Sequence, residues 1–237
     1  LNCVFNVKLV NFNKIILMQT RNISSLDAFD LKPYLTLRRP LDHYEQGIFV
    51  AEGEKVVRRL LSSDFNIISM LMTNEWHNKF ISEKAFCTYV HNQFTIYVAD
   101  KSILETIVGF NLHQGIMAVA QTPRNKTIEE ICLNIPRPFF FVALDGLVQA
   151  ENVGVVVRNC AGLGAGAVIV GDNSSSPYLR RAVRSSMGTV FSLPILHSTD
   201  LQDTLLVLKK IFSTKIIATH LSYSSTIYTA DFSDNVC

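Results

Sequence analysis

The sequence has little net charge and no long apolar run. Its 22 Lys and Arg residues are nearly balanced by 20 Asp and Glu residues, which leaves a formal net charge of +2. A strongly basic domain that binds nucleic acid through its overall field is therefore excluded, and any nucleic-acid contact must come from a local cluster of cations. No uninterrupted apolar stretch is long enough to cross a bilayer, so we expect no membrane partner.

The cysteines lack any Cys-x-x-Cys pair, which argues against a zinc ribbon or a thioredoxin-like site. Cys87 and Cys160 lie in apolar runs and are predicted to be core residues rather than reactive thiols. Five widely separated cysteines favour a reducing compartment, and we expect a cytoplasmic protein without a bound metal.

Residues 1–34 are predicted to be an N-terminal extension. The first 18 residues are apolar overall but contain four Asn and two Lys, and no small-residue cleavage site follows them. The sequence begins with Leu. In one interpretation the natural chain starts at Met18, and in the other the residues upstream form an amphipathic arm.

Residues 35–122 are predicted to form a first α/β domain. Short β-rich segments alternate here with helical patterns, which is typical of an α/β sandwich. The predicted strands are 47–51, 67–73, 86–90, 94–99 and 115–121, and the predicted helices are 56–61 and 102–110.

Residues 123–138 are predicted to be a linker, because prolines bracket one short helical piece there. Beyond it, strands separated by helices of 10 or more residues predict right-handed βαβ units and a parallel sheet in a second domain, residues 139–237. The predicted strands are 139–146, 167–171, 189–196 and 215–220, and the predicted helices are 152–164, 177–186 and 200–212.

The glycines of 162–166 resemble a dinucleotide-binding loop only in composition. Such a loop follows a strand and opens a helix, whereas these glycines end a predicted helix and precede a strand. They are predicted to form a helix C-cap and a tight turn, which excludes a Rossmann-type oxidoreductase.

Two polar residues of the helix at 152–164 are candidates for chemistry. Asn152 follows a strand end and is predicted to be the helix N-cap. Arg158 lies in a run that is otherwise almost entirely apolar, where a guanidinium needs a carboxylate, a phosphate or a polar cleft. From residue types alone, an internal ion pair with Asp145 or Glu151 is the favoured interpretation of Arg158.

The segment LDGLVQAENVGVVVRN (144–159) resembles the first motif of the SpoU/TrmH-type RNA 2′-O-ribose methyltransferases of the SPOUT superfamily. That motif reads Asn-x-Gly-x-x-x-Arg after a strand ending in Leu-Asp, and Asn152, Gly154 and Arg158 match it. Residues 174–195 are similar to the next stretch of the family, and residues 47–121 to its ribosomal-protein-like substrate-binding domain.

The resemblance implies a SPOUT α/β-knot domain preceded by an RNA-binding α/β sandwich. It also implies methyl transfer from S-adenosylmethionine to a ribose 2′-hydroxyl of ribosomal or transfer RNA. Arg158 would activate the hydroxyl, and Asn152 would position Arg158 or the ribose. In the complete enzyme, the resemblance implies a homodimer with its sites near the subunit interface.

Six further residues are predicted to contact RNA. No acidic residue lies between 172 and 200, so the cluster of Arg180, Arg181 and Arg184 is expected to be locally positive, with a solvated helix face as the alternative. Glu52, His113 and Gln114 flank predicted strands and are assigned to the same RNA surface, although a loop without a role is the simpler interpretation of His113.

The sequence departs from the family after the segment 215–220. A Gly-rich turn bearing a Glu and a segment rich in Ser and Asn, which together hold the methyl donor in a knot, have no match. We therefore expect the second domain to be incomplete at its C-terminus and residues 1–237 to be a fragment that lacks activity alone. Only Thr219 and His220 are left as candidates near the cofactor. The alternative is a non-catalytic RNA-binding protein that has lost the knot.

Overall fold

The computed structural model describes residues 4–11, 14–83, 93–108, 115–219 and 226–237. The strands of this α/β structure are β1 (Val4–Asn11), β2 (Lys14–Asn22), β3 (Ile48–Glu52), β4 (Ile67–Thr73), β5 (Thr95–Ala99), β6 (Ile116–Gln121), β7 (Phe141–Leu144), β8 (Ala167–Gly171) and β9 (Ile195–Ser198). The α-helices are α1 (Lys32–Leu35), α2 (Pro40–Glu45), α3 (Glu54–Leu61), α4 (Asn74–Ser82), α5 (Lys101–Val108), α6 (Ile128–Leu133), α7 (Ala150–Gly162), α8 (Arg180–Ser185) and α9 (Leu201–Ile211).

The first sheet has six strands in the order β1-β2-β5-β4-β6-β3. Strands β2, β5 and β4 run parallel, and β6 lies antiparallel to both β4 and β3. The predicted strands at 47–51, 67–73, 94–99 and 115–121 are confirmed, whereas the one at 86–90 lies outside the described residues. Part of the predicted N-terminal extension forms β1 and β2 of this sheet.

The amphipathic helix α3 shows why one side of this sheet is covered. Val56, Val57, Leu60 and Leu61 recur at helical spacing and are buried, because they point toward the strands. Gly53, which precedes the helix, has φ of +93°, a value that favours glycine and lets the chain turn sharply out of β3.

The second sheet is parallel, with the order β7-β8-β9. The chain segment 235–237 extends it beyond β7, since Val236 forms parallel bridges with both Phe140 and Lys215. The strand predicted at 215–220 is therefore confined to a short bridged segment, in which the Ile217 N–H donates to the Cys237 carbonyl at 2.8 Å. His220 lies outside the described residues.

The strand predicted at 189–196 is wrong in its first half. Residues Thr189–Phe191 form a 3-10 turn, and β9 begins only at Ile195. Met187 and Gly188, with φ of 56° and 81°, bend the chain before the turn, and Pro194 lacks the N–H that a strand ladder needs.

The two sheets share one hydrophobic core, which also takes in α7. Two aromatic side chains from the part of the chain that forms the first sheet, Phe49 and Phe65, contact Tyr178 and Phe191 from the part that forms the second. The ring centroids in this group lie 5.3–6.1 Å apart. Such aromatic contacts contribute beyond their buried area, so they fix the two parts against each other.

Two smaller predictions concern cysteines and glycines. Cys160 is buried, as predicted, and burial raises the pKa of its thiol, whereas Cys87 lies outside the described residues. Gly164 has φ of +79°, and the Ala165 N–H donates to the Cys160 carbonyl at 2.9 Å, which ends α7 in a Schellman turn as expected of the glycine cluster. In the described ranges, no helix is both long and apolar enough to span a membrane.

Candidate functional site

Helix α7 starts at the carboxyl end of β7, but Asn152 is not its N-cap. Gln149 occupies that position with extended backbone angles, and Asn152 lies in the first turn, where its Nδ2 donates to Gln149 Oε1 at 3.0 Å. The helix begins earlier than predicted because Ala150 is a strong helix former and Glu151 is favoured by the dipole at a helix N-terminus.

Arg158 is exposed on the outer face of α7, opposite the buried Val153 and Val157. The internal ion pair favoured from residue types is wrong, since the Glu151 carboxylate lies 3.2 Å from Arg181 instead. Among the residues that the structure describes, the Arg158 guanidinium has no hydrogen-bond or ion-pair partner. Its five donors are therefore available to a ligand outside this chain.

Gly154 lets α7 and α8 approach closely. A Cβ at this position would lie 2.1 Å from Ser185 Oγ and 2.2 Å from the Ala182 carbonyl oxygen. The Ser185 hydroxyl in turn donates to the Glu151 carbonyl at 2.9 Å across the same contact. The glycine of the matched motif thus has a packing reason that sequence reasoning did not assign, and it sets α8 beside α7.

Acidic residues from distant elements reach the three arginines of α8, and two carboxylates offset part of their positive charge. Arg180 Nη1 donates to Glu52 Oε2 at 3.0 Å, and these side chains are only 20% and 15% exposed. Arg184 lies 3.9 Å from the other Glu52 oxygen, while Arg181 pairs with Glu151 at the surface. The RNA-binding roles of these residues stay predictions.

A second link between the sheets involves the Ser-Ser-Met-Gly turn after α8. Arg59 Nη1 donates to the Met187 carbonyl at 2.7 Å, and its side chain covers Gly188. Together with the Glu52–Arg180 pair, this contact orients α8 relative to β3. His113 and Gln114, which were predicted to join Glu52 in contacting RNA, lie outside the described residues.

A cleft of about 610 Å³ lies at the carboxyl edge of the second sheet. This edge is where open parallel sheets bind ligands. Asp145, Asp172 and Asp200 line the cleft, together with the apolar side chains of Leu201, Leu205, Leu206 and Ile216. Thr219, the remaining described candidate for cofactor binding, is exposed three residues beyond Ile216.

Two family models match the chain. The model of the SpoU rRNA methylase family matches residues 139–237, and that of the RNA 2′-O ribose methyltransferase substrate-binding domain matches residues 50–126. Both matches fall on the parts of the chain that meet at Glu52 and Arg180.

Relatives and solved structures agree with these matches. An uncharacterized tRNA/rRNA methyltransferase of Mycobacterium bovis is 28% identical over 73% of this chain and 57% of its own length. The 23S rRNA (guanosine-2′-O-)-methyltransferase of Neisseria meningitidis serogroup B is 27% identical over 59% of this chain and 56% of its own. The chain thus spans just over half the length of these relatives.

The AdoMet-bound rRNA methyltransferase of Sinorhizobium meliloti has a similar fold. The two structures superpose with a TM-score of 0.74 at 22% identity, over 92% of this chain and 79% of the other. The matched models, the relatives and the fold agree with the motif at Asn152, Gly154 and Arg158, and residues 139–237 belong to the SpoU rRNA methylase family.

Proposed function

We propose that the protein transfers a methyl group from S-adenosylmethionine to a ribose 2′-hydroxyl of ribosomal or transfer RNA. The observation that carries this proposal is the environment of Arg158. This arginine lies on the helix of the matched family motif, is exposed, and has no partner among the described residues. The three arginines of the adjacent helix α8 each lie within 4 Å of a carboxylate, whereas Arg158 on α7 has no such partner in the part of the chain that the structure describes. This difference fits a role of Arg158 toward a ligand.

In the proposed reaction, Arg158 stabilises charge rather than removing a proton. Arginine stays protonated in folded proteins, so its N–H groups donate to the oxygen as negative charge develops there. The oxygen–methyl bond forms while the methyl–sulfur bond breaks, and the hydroxyl proton leaves to solvent or to an RNA phosphate. Asn152, exposed two turns N-terminal to Arg158, is assigned to the ribose.

The cleft at the carboxyl edge of the second sheet fits the nucleoside half of the donor. Carboxylates such as Asp145 and Asp200 are suited to accept hydrogen bonds from a ribose diol, and Leu205, Leu206 and Ile216 offer an apolar surface to an adenine ring. When bound, the donor would supply the electrophilic methyl group. We assign it to this cleft, near Thr219.

We further infer that the active enzyme is a homodimer. The outward side of α7 carries Val155, which is 45% exposed, next to Arg158, and Val148 just before the helix is 72% exposed. An apolar surface beside an unpaired arginine suits a second copy, whose site Arg158 would complete. The RNA substrate and the buried free thiols Cys132 and Cys160 are in keeping with a cytoplasmic enzyme.

The test uses the protein as its gene encodes it, with radiolabelled S-adenosylmethionine and ribosomal or transfer RNA. Arg158→Ala should abolish methyl transfer while RNA binding and the denaturation midpoint stay within error, because the side chain has no internal partner. Arg124→Ala removes an exposed linker arginine whose partner within the described ranges is Glu130; this variant should keep full activity and serves as the control.

Three outcomes contradict the proposal. Methyl transfer that survives in Arg158→Ala would remove the assigned role of the arginine. Equal loss of activity and RNA binding would make Arg158 a binding residue. Specific RNA binding without any methyl transfer by the unaltered protein would indicate a non-catalytic RNA-binding protein.

A further inference from the structure

A second cavity, of about 660 Å³, lies between the two sheets. Helix α2, the linker and the carboxyl ends of β8 and β9 surround it, and its volume is typical of sites for small organic ligands. Most of its wall is apolar, including Leu37, Pro40, Ile48, Pro123 and Val170. None of the roles proposed above uses this space.

Two polar side chains that line the cavity have no hydrogen-bond partner within the described part of the chain. Tyr178 is only 8% exposed, yet its hydroxyl makes no hydrogen bond there. The imidazole of His197, whose ring centroid lies 6.1 Å from that of Tyr178, is likewise unbonded. Tyr178 is buried and His197 is half-buried, and their polar atoms open onto the cavity, so hydrogen bonds that the chain does not use are available there to a ligand.

The two groups are neutral and held in place. Burial lowers the pKa of His197, so near pH 7 its ring presents one donor and one acceptor. Its backbone is fixed by the side-chain amide of Asn125, which donates to the His197 carbonyl at 2.6 Å and accepts from its N–H at 2.9 Å. The cavity therefore offers neutral hydrogen-bonding groups, one of them carried by a main chain that Asn125 holds in place.

The charges around the cavity disfavour an anion inside it. Arg180 is already paired with Glu52, and the Asp172 carboxylate also lines the wall. Tyr44, which is 70% exposed at the rim, offers a ring for stacking, and the exposed Arg39 next to Pro40 has no partner among the described residues. Apolar walls, neutral hydrogen-bonding groups and an outer cation suit a heteroaromatic base whose phosphate stays outside.

We propose that this cavity binds one unstacked base of the RNA substrate, with Tyr178 and His197 bonding to its edge. The inference rests on the proposed function, because it takes RNA to be the substrate. The position of the cavity supports it, since Asp172 and Thr199 line both this cavity and the cleft assigned to the donor. A base held here keeps its strand close to the methyl group.

The test compares binding of a short single-stranded oligoribonucleotide with binding of the same strand carrying an abasic ribose. Tyr178→Phe removes only the unpartnered hydroxyl, so the denaturation midpoint should not fall. The base-dependent part of the affinity should fall about five- to tenfold, the equivalent of one neutral hydrogen bond. His197→Phe should act in the same direction. Tyr228→Phe removes a hydroxyl from a side chain that is 95% exposed and should change nothing.

Competition assays distinguish a base of the RNA from the adenine of the methyl donor as the occupant of the cavity. Nucleoside 5′-monophosphates should compete with the oligoribonucleotide in the unaltered protein and less well in Tyr178→Phe, whereas S-adenosylhomocysteine binding should be the same in both. An affinity for base-bearing and abasic strands that is unchanged in Tyr178→Phe and His197→Phe overturns the proposal. Loss of S-adenosylhomocysteine binding alone would also overturn it, because the cavity would then hold the donor.

The outcomes for Arg158 and for the cavity are independent. If Arg158→Ala abolishes methyl transfer while the Tyr178 and His197 variants bind normally, only the base site is wrong. If RNA is bound in a base-dependent way but never methylated, the proposed reaction is wrong and the base site stands.

Discussion

Replacing Gly154 with alanine should destabilise the protein, although alanine is the better helix former. The new Cβ would lie 2.2 Å from the Ala182 carbonyl oxygen, whereas real Cβ contacts essentially never fall below 3.0 Å. Helices α7 and α8 must therefore separate by about 0.8 Å, the difference between these distances. The obstacle is backbone rather than the end of a flexible side chain, and α8 is anchored by the Glu52–Arg180 pair.

The magnitude follows from two opposing effects. Alanine gains about 1 kcal/mol of helix propensity over glycine. Overpacking of a rigid contact costs about 1–3 kcal/mol and occasionally more. Two Cβ distances of 2.1 and 2.2 Å place Gly154→Ala at the upper end of this range or above it. We expect the free energy of unfolding to fall by about 2–3 kcal/mol.

Urea denaturation with fitted m-values measures the change. Gly162→Ala is the matched control, because it lies in the same helix and a Cβ there meets nothing within 4 Å. That variant should be unchanged or up to about 1 kcal/mol more stable. If Gly154→Ala is as stable as the unaltered protein, the close contact between α7 and α8 does not set the position of α8, and the reasoning fails.

Two further predictions concern charge. Glu52→Gln leaves the mostly buried Arg180 without its carboxylate and should lower the free energy of unfolding, measured in urea, by about 1–3 kcal/mol. The control Glu151→Gln breaks an exposed pair and should lower it by less than about 1 kcal/mol. Similar losses in the two variants would show that burial of the Glu52–Arg180 pair is unimportant. Burial lowers the pKa of His43, because the folded protein favours the neutral imidazole. The stabilisation that His43 provides is therefore complete above the usual histidine pKa of about 6.5, and it is lost as the pH falls below that value. The urea midpoint should thus drop between pH 7 and 5, and His43→Gln should flatten this drop; stability that rises on acidification would contradict the assignment.

Elements whose signal is local were predictable from the sequence. The buried strands β4 and β8 have the predicted bounds, since continuous apolar runs bounded by polar or glycine residues leave little choice. The strand predicted at 189–196 failed because left-handed backbone at Met187 and Gly188 was not visible in the apolar pattern.

The candidate site was harder to predict because its electrostatics are set by distant residues. Glu52 lies 128 positions before Arg180, and no property of the segment 172–200 announces that this carboxylate will neutralise it. The exposure of Arg158 was missed for a related reason. A run of valines suggests a buried helix, but Val155 and Arg158 lie on the side of α7 that no described element covers.

The side chain of Asn125 affects the exposed border of the second sheet. By donating to and accepting from the main chain of His197, it imitates the peptide group of a neighbouring strand. Strand β9 is the border of the second sheet, and at this residue its main-chain groups are already occupied. The linker thus protects this part of the border against strand addition from another molecule.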